Sequence, residues 1–168
     1  MSLNRDYNFG TVIGACDLSK KELTQGAPVT LGANGYKLAK KADLLAGLCF
    51  NYYTEDRNDV TGGDFFANSG KIGVVQAGEV TLDKDVYLNA DGTAKEVFPY
   101  DSSKTYAVND LIYVDENGLL TNDASAKDAH NLVGRVVEAP AGLKTALKIA
   151  LQVLPVAVAP AASEESGN

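Results

Sequence analysis

Apolar and polar residues alternate with a period of two over Thr145–Val153. Leu147, Ile149, Leu151 and Val153 interleave there with Ala146, Lys148, Ala150 and Gln152. That spacing sets four aliphatic side chains on one face of a sheet. Shorter alternation occurs at Val80 and Leu82, at Val86 and Leu88, and at Ile112 and Val114. Long helical periodicity is missing, so the pattern predicts a mainly β chain.

The apolar runs repeat. Val29-Thr-Leu-Gly-Ala-Asn-Gly35 aligns without gaps on Val86-Tyr-Leu-Asn-Ala-Asp-Gly92 and on Ile112-Tyr-Val-Asp-Glu-Asn-Gly118. Asn-Gly and Asp-Gly tolerate positive φ, so each copy reads as a strand ending in a tight turn. A second pattern follows: Leu45-Ala-Gly47-Leu-Cys49 resembles Leu132-Val-Gly134-Arg-Val136, with looser matches at Val12–Cys16 and Ile72–Val75. A glycine inside a strand marks a bulge or a close backbone approach. The spacing of the copies is irregular, which argues against a solenoid. A small β-barrel or β-sandwich built from related hairpins is expected, with one or two short helices and flexible termini.

Ser19-Lys-Lys-Glu22 matches a capping box, with Leu18 and Leu23 as its staple, and predicts one or two helical turns ended by Gly26 and Pro28. A second short helix is expected over Ala124–His130. Tyr52–Gly70 is polar, glycine-rich and edged by aromatics, and reads as a long binding loop. Residues 1–10 read as an N-terminal arm and 155–168 as a flexible tail. Between them, 11–154 form one β-rich domain, divisible into related halves at 11–70 and 71–154.

Composition narrows the function. The chain has 168 residues and a net charge of −7, which disfavours binding of nucleic acid through phosphate neutralisation. No apolar run reaches the roughly 20 residues of a membrane helix, and no signal-peptide pattern opens the chain. Cys16 and Cys49 lie in apolar strings and are expected as buried, reduced thiols. No zinc spacing and no phosphate-cradling glycine motif occurs, so no cofactor is expected.

Catalytic candidates are few. His130 is the one histidine; with Ser125 and Asp128 it makes a triad on paper, without a nucleophile elbow. The carboxylate pairs Asp56/Asp59, Asp83/Asp85 and Asp115/Glu116 read as solvated turn charges, since a glycosidase cleft also needs aromatic platforms and tryptophan is absent. Asp56–Asp64 is rich in oxygen ligands, yet Val60 breaks the calcium-loop order. No metal or catalytic role is assigned. The aromatic doublets Tyr52–Tyr53 and Phe65–Phe66, with Tyr7 and Phe9 of the arm, are the expected interface residues.

Lys104-Thr-Tyr-Ala-Val-Asn-Asp-Leu-Ile-Tyr-Val-Asp-Glu-Asn-Gly-Leu-Leu-Thr121, then Asn131-Leu-Val-Gly-Arg-Val-Val-Glu-Ala-Pro140, then the strand Ala146–Gln152, resembles the capsid decoration, or cement, proteins of tailed bacteriophages. Their pattern is Y-x-x-G-D-x-[VI]-Y-x-D-x-x-G-x-[VLI]-T, then G-[VR]-[VA]-x-E-A, then an apolar strand; Asn109 stands here where Gly is usual. The likeness spans Lys71–Val153. It implies a non-enzymatic virion protein, made in the host cytoplasm and docked on the outer capsid surface. Its partner would be the major capsid protein, and it would form a homo-oligomer, often a trimer. The alternative is a fibre-like or carbohydrate-binding β-module that contacts a host surface.

Overall fold

The repeated apolar runs each form the first strand of a hairpin in a computed structural model that describes residues 4–7, 11–17, 22–50, 53–54, 71–88 and 93–152. In the first, β4 (Pro28–Gly32) pairs with β5 (Gly35–Leu38), and the Gly32–Gly35 pair closes the loop Ala33–Asn34. In the third, β12 (Leu111–Val114) pairs with β13 (Leu120–Thr121). Asp115 Oδ1 accepts the N–H groups of Asn117 and Leu119 there, both at 2.8 Å, and Gly118 takes φ +81°. The middle copy forms β10 (Asp85–Leu88), paired with β11 (Ala94–Val97).

Two larger antiparallel sheets hold the rest. The first contains β2 (Thr11–Ala15), β6 (Gly47–Cys49) and β8 (Lys71–Val75), in the order β2-β8-β6-β4-β5. The second contains β1 (Asn4–Tyr7), β9 (Gly78–Leu82), β14 (Leu132–Glu138) and β15 (Leu147–Leu151), in the order β1-β9-β15-β14-β12-β13. A short pair, β3 (Glu22–Leu23) with β7 (Tyr53–Thr54), stands apart.

Leave β1 aside and the two sheets have one topology, strand for strand: β2, β4, β5, β6, β8 against β9, β12, β13, β14, β15. The registers agree. Pro28–Leu48 and Val29–Gly47 are matched by Leu111–Arg135 and Ile112–Gly134. Leu48–Val75 and Cys49–Val74 are matched by Arg135–Ala150 and Val136–Ile149. The turns agree too. Ala27 donates to the Thr24 carbonyl and Asp110 to the Ala107 carbonyl, each at 3.0 Å. Gly26 has φ +85°, Asn109 +75°. At one end of each sheet a parallel bridge reaches the last strand, Cys16 to Tyr36 and Tyr100 to Leu120: Asp17 N–H donates to the Tyr36 carbonyl (2.9 Å), Asp101 N–H to the Leu120 carbonyl (2.8 Å), and Leu120 N–H to the Pro99 carbonyl (3.1 Å). Each half is therefore a curled, open sheet, and neither closes into a barrel. Together they make a β-sandwich-like body, mainly β as the alternation predicts.

The alternation decides the core. Val80, Leu82, Ile112, Val114, Val136, Leu147 and Ile149 point inward from the second sheet and join Leu45, Leu48 and Val75 of the first in one buried cluster. The opposite face of the first sheet has its own cluster of Cys16, Leu23, Ala27, Val29, Cys49, Ile72 and Val74. Each large aliphatic side chain so buried contributes roughly 1.5–3 kcal/mol. Strand glycines mark close approaches. A Cβ on Gly134 would lie 2.1 Å from the Ala150 carbonyl oxygen, and one on Gly14 would lie 2.3 Å from the Tyr36 ring.

Several expectations change. The helix expected from Ser19 is contradicted at Glu22–Leu23, which is strand β3; residues 18–21 lie outside the described part. Leu23 is fully buried, and that burial outweighs a local cap of about 1 kcal/mol. The helix expected over Ala124–His130 shrinks to a single 3₁₀ turn, Ala124–Ala126. Asn131 ends it: buried, its side chain accepts from Asp128 N–H (2.9 Å) and donates to the carbonyls of Ala126 (2.7 Å) and Val114 (2.9 Å). The sheets part at Gln76–Ala77, so Lys71–Val75 completes the first half rather than opening the second. Asn4–Tyr7, expected within an arm, is the edge strand beside β9. Residues 155–168 lie outside the described part.

Candidate interaction surface

Three aromatic side chains form the floor of a shallow groove of about 280 Å³ in the second half. Phe98 meets Tyr100 edge-on at 5.4 Å, and Tyr100 meets Tyr106 at 5.6 Å, both in the favoured T-shaped arrangement. One wall is the turn Ser102–Thr105, and the other is the β14–β15 loop from Pro140 to Thr145. The sequence places the aromatics here for a local reason. Tyr100 bridges β13 at Leu120, and Tyr106 opens the turn that leads through Asn109 into β12.

The hydroxyls are committed within the fold. Tyr100 donates to the Thr145 carbonyl, tying floor to wall. Tyr106 donates to the carbonyls of Asp101 (3.0 Å) and Leu120 (3.2 Å). Burial raises the Tyr100 hydroxyl to about 12, with the Asp83 charge adding to it. Burial likewise pushes Tyr106 up, helped by Asp101. Both stay protonated at neutral pH, so neither is poised as a base. The rim charges are paired: Lys104 with Asp123 at 2.7 Å, and Lys144 with Glu138. The Lys104 contact and the Ser125 N–H hold the Asp123 carboxyl well below the usual carboxylate range. What the groove offers a visitor is aromatic surface, backbone and two neutralised lysines, which suits contact rather than proton transfer.

At the tip of the β14–β15 loop Leu143 is fully exposed, at 103% relative accessibility. Single exposed aliphatic side chains are ordinary on protein surfaces, and this one is free to meet a partner. Nothing in the repeat pattern singles it out. Its signal is the string Ala139-Pro-Ala-Gly-Leu143, a turn sequence that ends on an apolar residue.

The expected interface residues fall as follows. Tyr53 lies on β7, paired with Leu23, and Tyr7 on β1, paired with Glu79; their side chains lie outside the described part. Tyr52, Phe9, Phe65 and Phe66 lie outside it altogether, as does the oxygen-rich stretch Asp56–Asp64. The matched topology still says where the Tyr52–Gly70 segment belongs. It joins β6 to β8, as the Leu143 loop joins β14 to β15. The two segments hold the same place in the strand order, and the longer one contains β7.

Ser125, Asp128 and His130 do not form a relay in the described bonding. Ser125 N–H donates to Asp123 Oδ1 (2.9 Å), Asp128 N–H donates to Asn131, and the His130 carbonyl accepts Leu45 N–H (3.2 Å). Asp83 Oδ1 accepts from Lys84 N–H (2.7 Å) and Thr145 Oγ1 (2.5 Å), and Glu116 faces Lys41 at 3.4 Å. Cys16 is a buried thiol raised to about 11 by burial and by Asp17; Cys49 is buried in the same cluster. Among the described residues no group of three or more histidine, cysteine or acidic side chains is placed to hold a metal ion, and no helix is long and apolar enough to cross a membrane.

Neither protein-family comparison, nor the curated proteins, nor the solved structures yield a match to this chain.

Proposed function

We propose that this chain is a structural virion protein that binds the outer surface of a tailed-phage capsid and stabilises the lattice of the major capsid protein. The observation that carries the reading is the role of the residues behind the resemblance. Tyr106, Asn109–Asp110, Asp115, Gly118 and Gly134 are the turn and close-approach residues of the second half, and the first half repeats that framework. The likeness itself covers 71–153, and the internal repeat relates residues 11–75 to it.

The groove hydroxyls are spent on the fold, and Leu143 stands exposed in the β14–β15 loop. Such a body works by contact. A clamp that binds the assembled lattice and not its parts stabilises it by mass action, about 2.7 kcal/mol per site when free protein stands at 100 times Kd. The β14–β15 loop with Leu143, and the larger loop joining β6 to β8, are the elements assigned to the shell. The protein would act on the virion exterior, without a cofactor or a reaction of its own.

The test is co-sedimentation with undecorated capsids of the phage that encodes it. Saturable binding and a raised capsid melting temperature are expected, and Leu143→Asp should weaken binding without changing the fold. No binding across a range of salt concentrations would overturn the reading. The aromatic floor of Phe98, Tyr100 and Tyr106 would then favour a module that contacts host-surface carbohydrate, to be tried on a glycan array.

A further inference from the structure

The two halves differ at one sheet edge. In the second half β1 lies along the outer edge of β9, with Asn4 opposite Thr81, Arg5 opposite Val80 and Tyr7 opposite Glu79. The matched registers identify the same edge in the first half. Glu79 faces Ala150 as Thr11 faces Val75, Val80 faces Ile149 as Val12 faces Val74, and Thr81 faces Lys148 as Ile13 faces Gly73. Thr11–Ile13 is therefore the counterpart of the three β9 residues that β1 covers. β2 ends its sheet, and among the described residues no strand pairs with this stretch from outside.

The side chains register the difference. Val80 is fully buried, whereas Val12, its counterpart, is half-buried at the margin of its cluster. Ile13 is 59% exposed, the most of any large hydrophobic that lies in a strand among the described residues. The open stretch has a definite end: Gly14 abuts the Tyr36 ring, and beyond it Cys16 bridges to Tyr36. That bridge also fixes the direction of the backbone. Asp17 N–H donates outward to the Tyr36 carbonyl, and backbone groups alternate sides along a strand. Every second residue back from Asp17 points the same way, so Ile13 presents its N–H and C=O to the outer side, where no described strand takes them.

We propose that the outer edge of Thr11–Ile13 is where an extended segment of the capsid shell protein adds a strand to this chain. The occupant follows from the chemistry of the edge. A row of backbone donors and acceptors is matched along its length by another extended polypeptide, and strand addition to an open edge is a recurring mode of peptide recognition. The second half shows the fit, since there the four-residue strand β1 lies antiparallel along the same three positions. An apolar side chain of the arriving strand would meet Ile13 across the pair. The inference rests on the capsid reading and deepens it, giving the shell an edge to pair with in addition to the loop that carries Leu143.

The experiment is amide hydrogen exchange of the full chain, free and bound to undecorated capsids of the phage that encodes it, together with co-sedimentation of Ile13→Pro. Peptides covering Thr11–Ile13, read by mass spectrometry, should exchange fast in the free chain and slowly on the capsid. Proline removes the outward N–H and leaves the ladder to β8, which runs through the neighbouring residues. That variant should keep the wild-type circular dichroism spectrum and bind capsids about tenfold more weakly, the worth of one hydrogen bond. If the wild-type chain binds capsids and Thr11–Ile13 exchanges as fast as before, the proposal is overturned and the capsid reading stands. Slow exchange already in the free chain also overturns it, since the edge is then filled without the shell. A wild-type chain that does not bind at all overturns both. Because exchange is read on the wild-type chain, the outcome does not depend on the proline variant folding.

Discussion

Asn109 shows how much one residue can depend on its turn. Its φ of +75° is the left-handed region, where most side chains collide with their own backbone and asparagine is among the few tolerated. Gly26 holds the same place in the first half at φ +85°, and a Cβ there would lie 2.9 Å from Leu82. The two sites differ in what surrounds them, since Asn109 is exposed and Gly26 buried. Urea unfolding should therefore show Asn109→Gly within about 0.5 kcal/mol of wild type and Asn109→Val less stable by about 1–2 kcal/mol. Gly26→Ala should cost more than about 2 kcal/mol, because it adds a clash to the same strain. The asparagine is legible in the sequence as a turn residue. That its neighbour Val108 faces water is not, because exposure depends on what packs nearby.

At the scale of elements, the three similar runs are not three equivalents. The first and third begin matched hairpins in the two sheets; the middle one begins β10–β11, whose strands pair only with each other. Among the described residues that hairpin has no counterpart in the first half, and it reads as an insertion in the second. An isolated two-stranded hairpin is marginal at best, and the Lys84–Glu96 ion pair beside it is half-exposed. Replacing 85–97 with a short glycine linker should change the unfolding free energy by less than about 1 kcal/mol, as read by urea titration. A loss of several kcal/mol would show the hairpin to be part of the core. Local pattern finds all three hairpins, since period-two alternation and Asx-Gly turns are short-range. It does not tell a framework hairpin from an inserted one, which is a matter of what pairs with its outer edges.

For the whole molecule, Tyr100 and Tyr106 link the groove to global stability. Both hydroxyls have folded-state values above the tyrosine norm of about 10, Tyr100 at about 12, with burial as the main cause. The raised values favour the protonated form in the folded chain. Their contribution is therefore complete below about pH 10 and is lost as pH rises through the folded values. Urea unfolding at increasing pH should show stability falling from about pH 10 upward, with tyrosinate absorbance appearing together with unfolding. In Tyr100→Phe the fall should be shallower, from a lower starting stability, because the bond to Thr145 goes with the hydroxyl. Free ionisation of every tyrosine near the norm in a still-folded chain would refute the linkage.

The mainly β character, the strand positions at Val80–Leu82, Ile112–Val114 and Leu147–Leu151, the turn glycines and the buried cysteines follow from the sequence alone. Each rests on a residue and its near neighbours. Tertiary structure alone decided that β8 belongs to the first sheet, that Glu22–Leu23 is a strand, and that the two halves share one register despite insertions that break the alignment between them. It also decided which copy of the shared face is buried. Leu48 and Arg135 hold one position in one fold, and the difference between a core residue and a surface residue there is set by the presence of the second half above the first. Burial is a relation between elements, and no run of residues carries both sides of it.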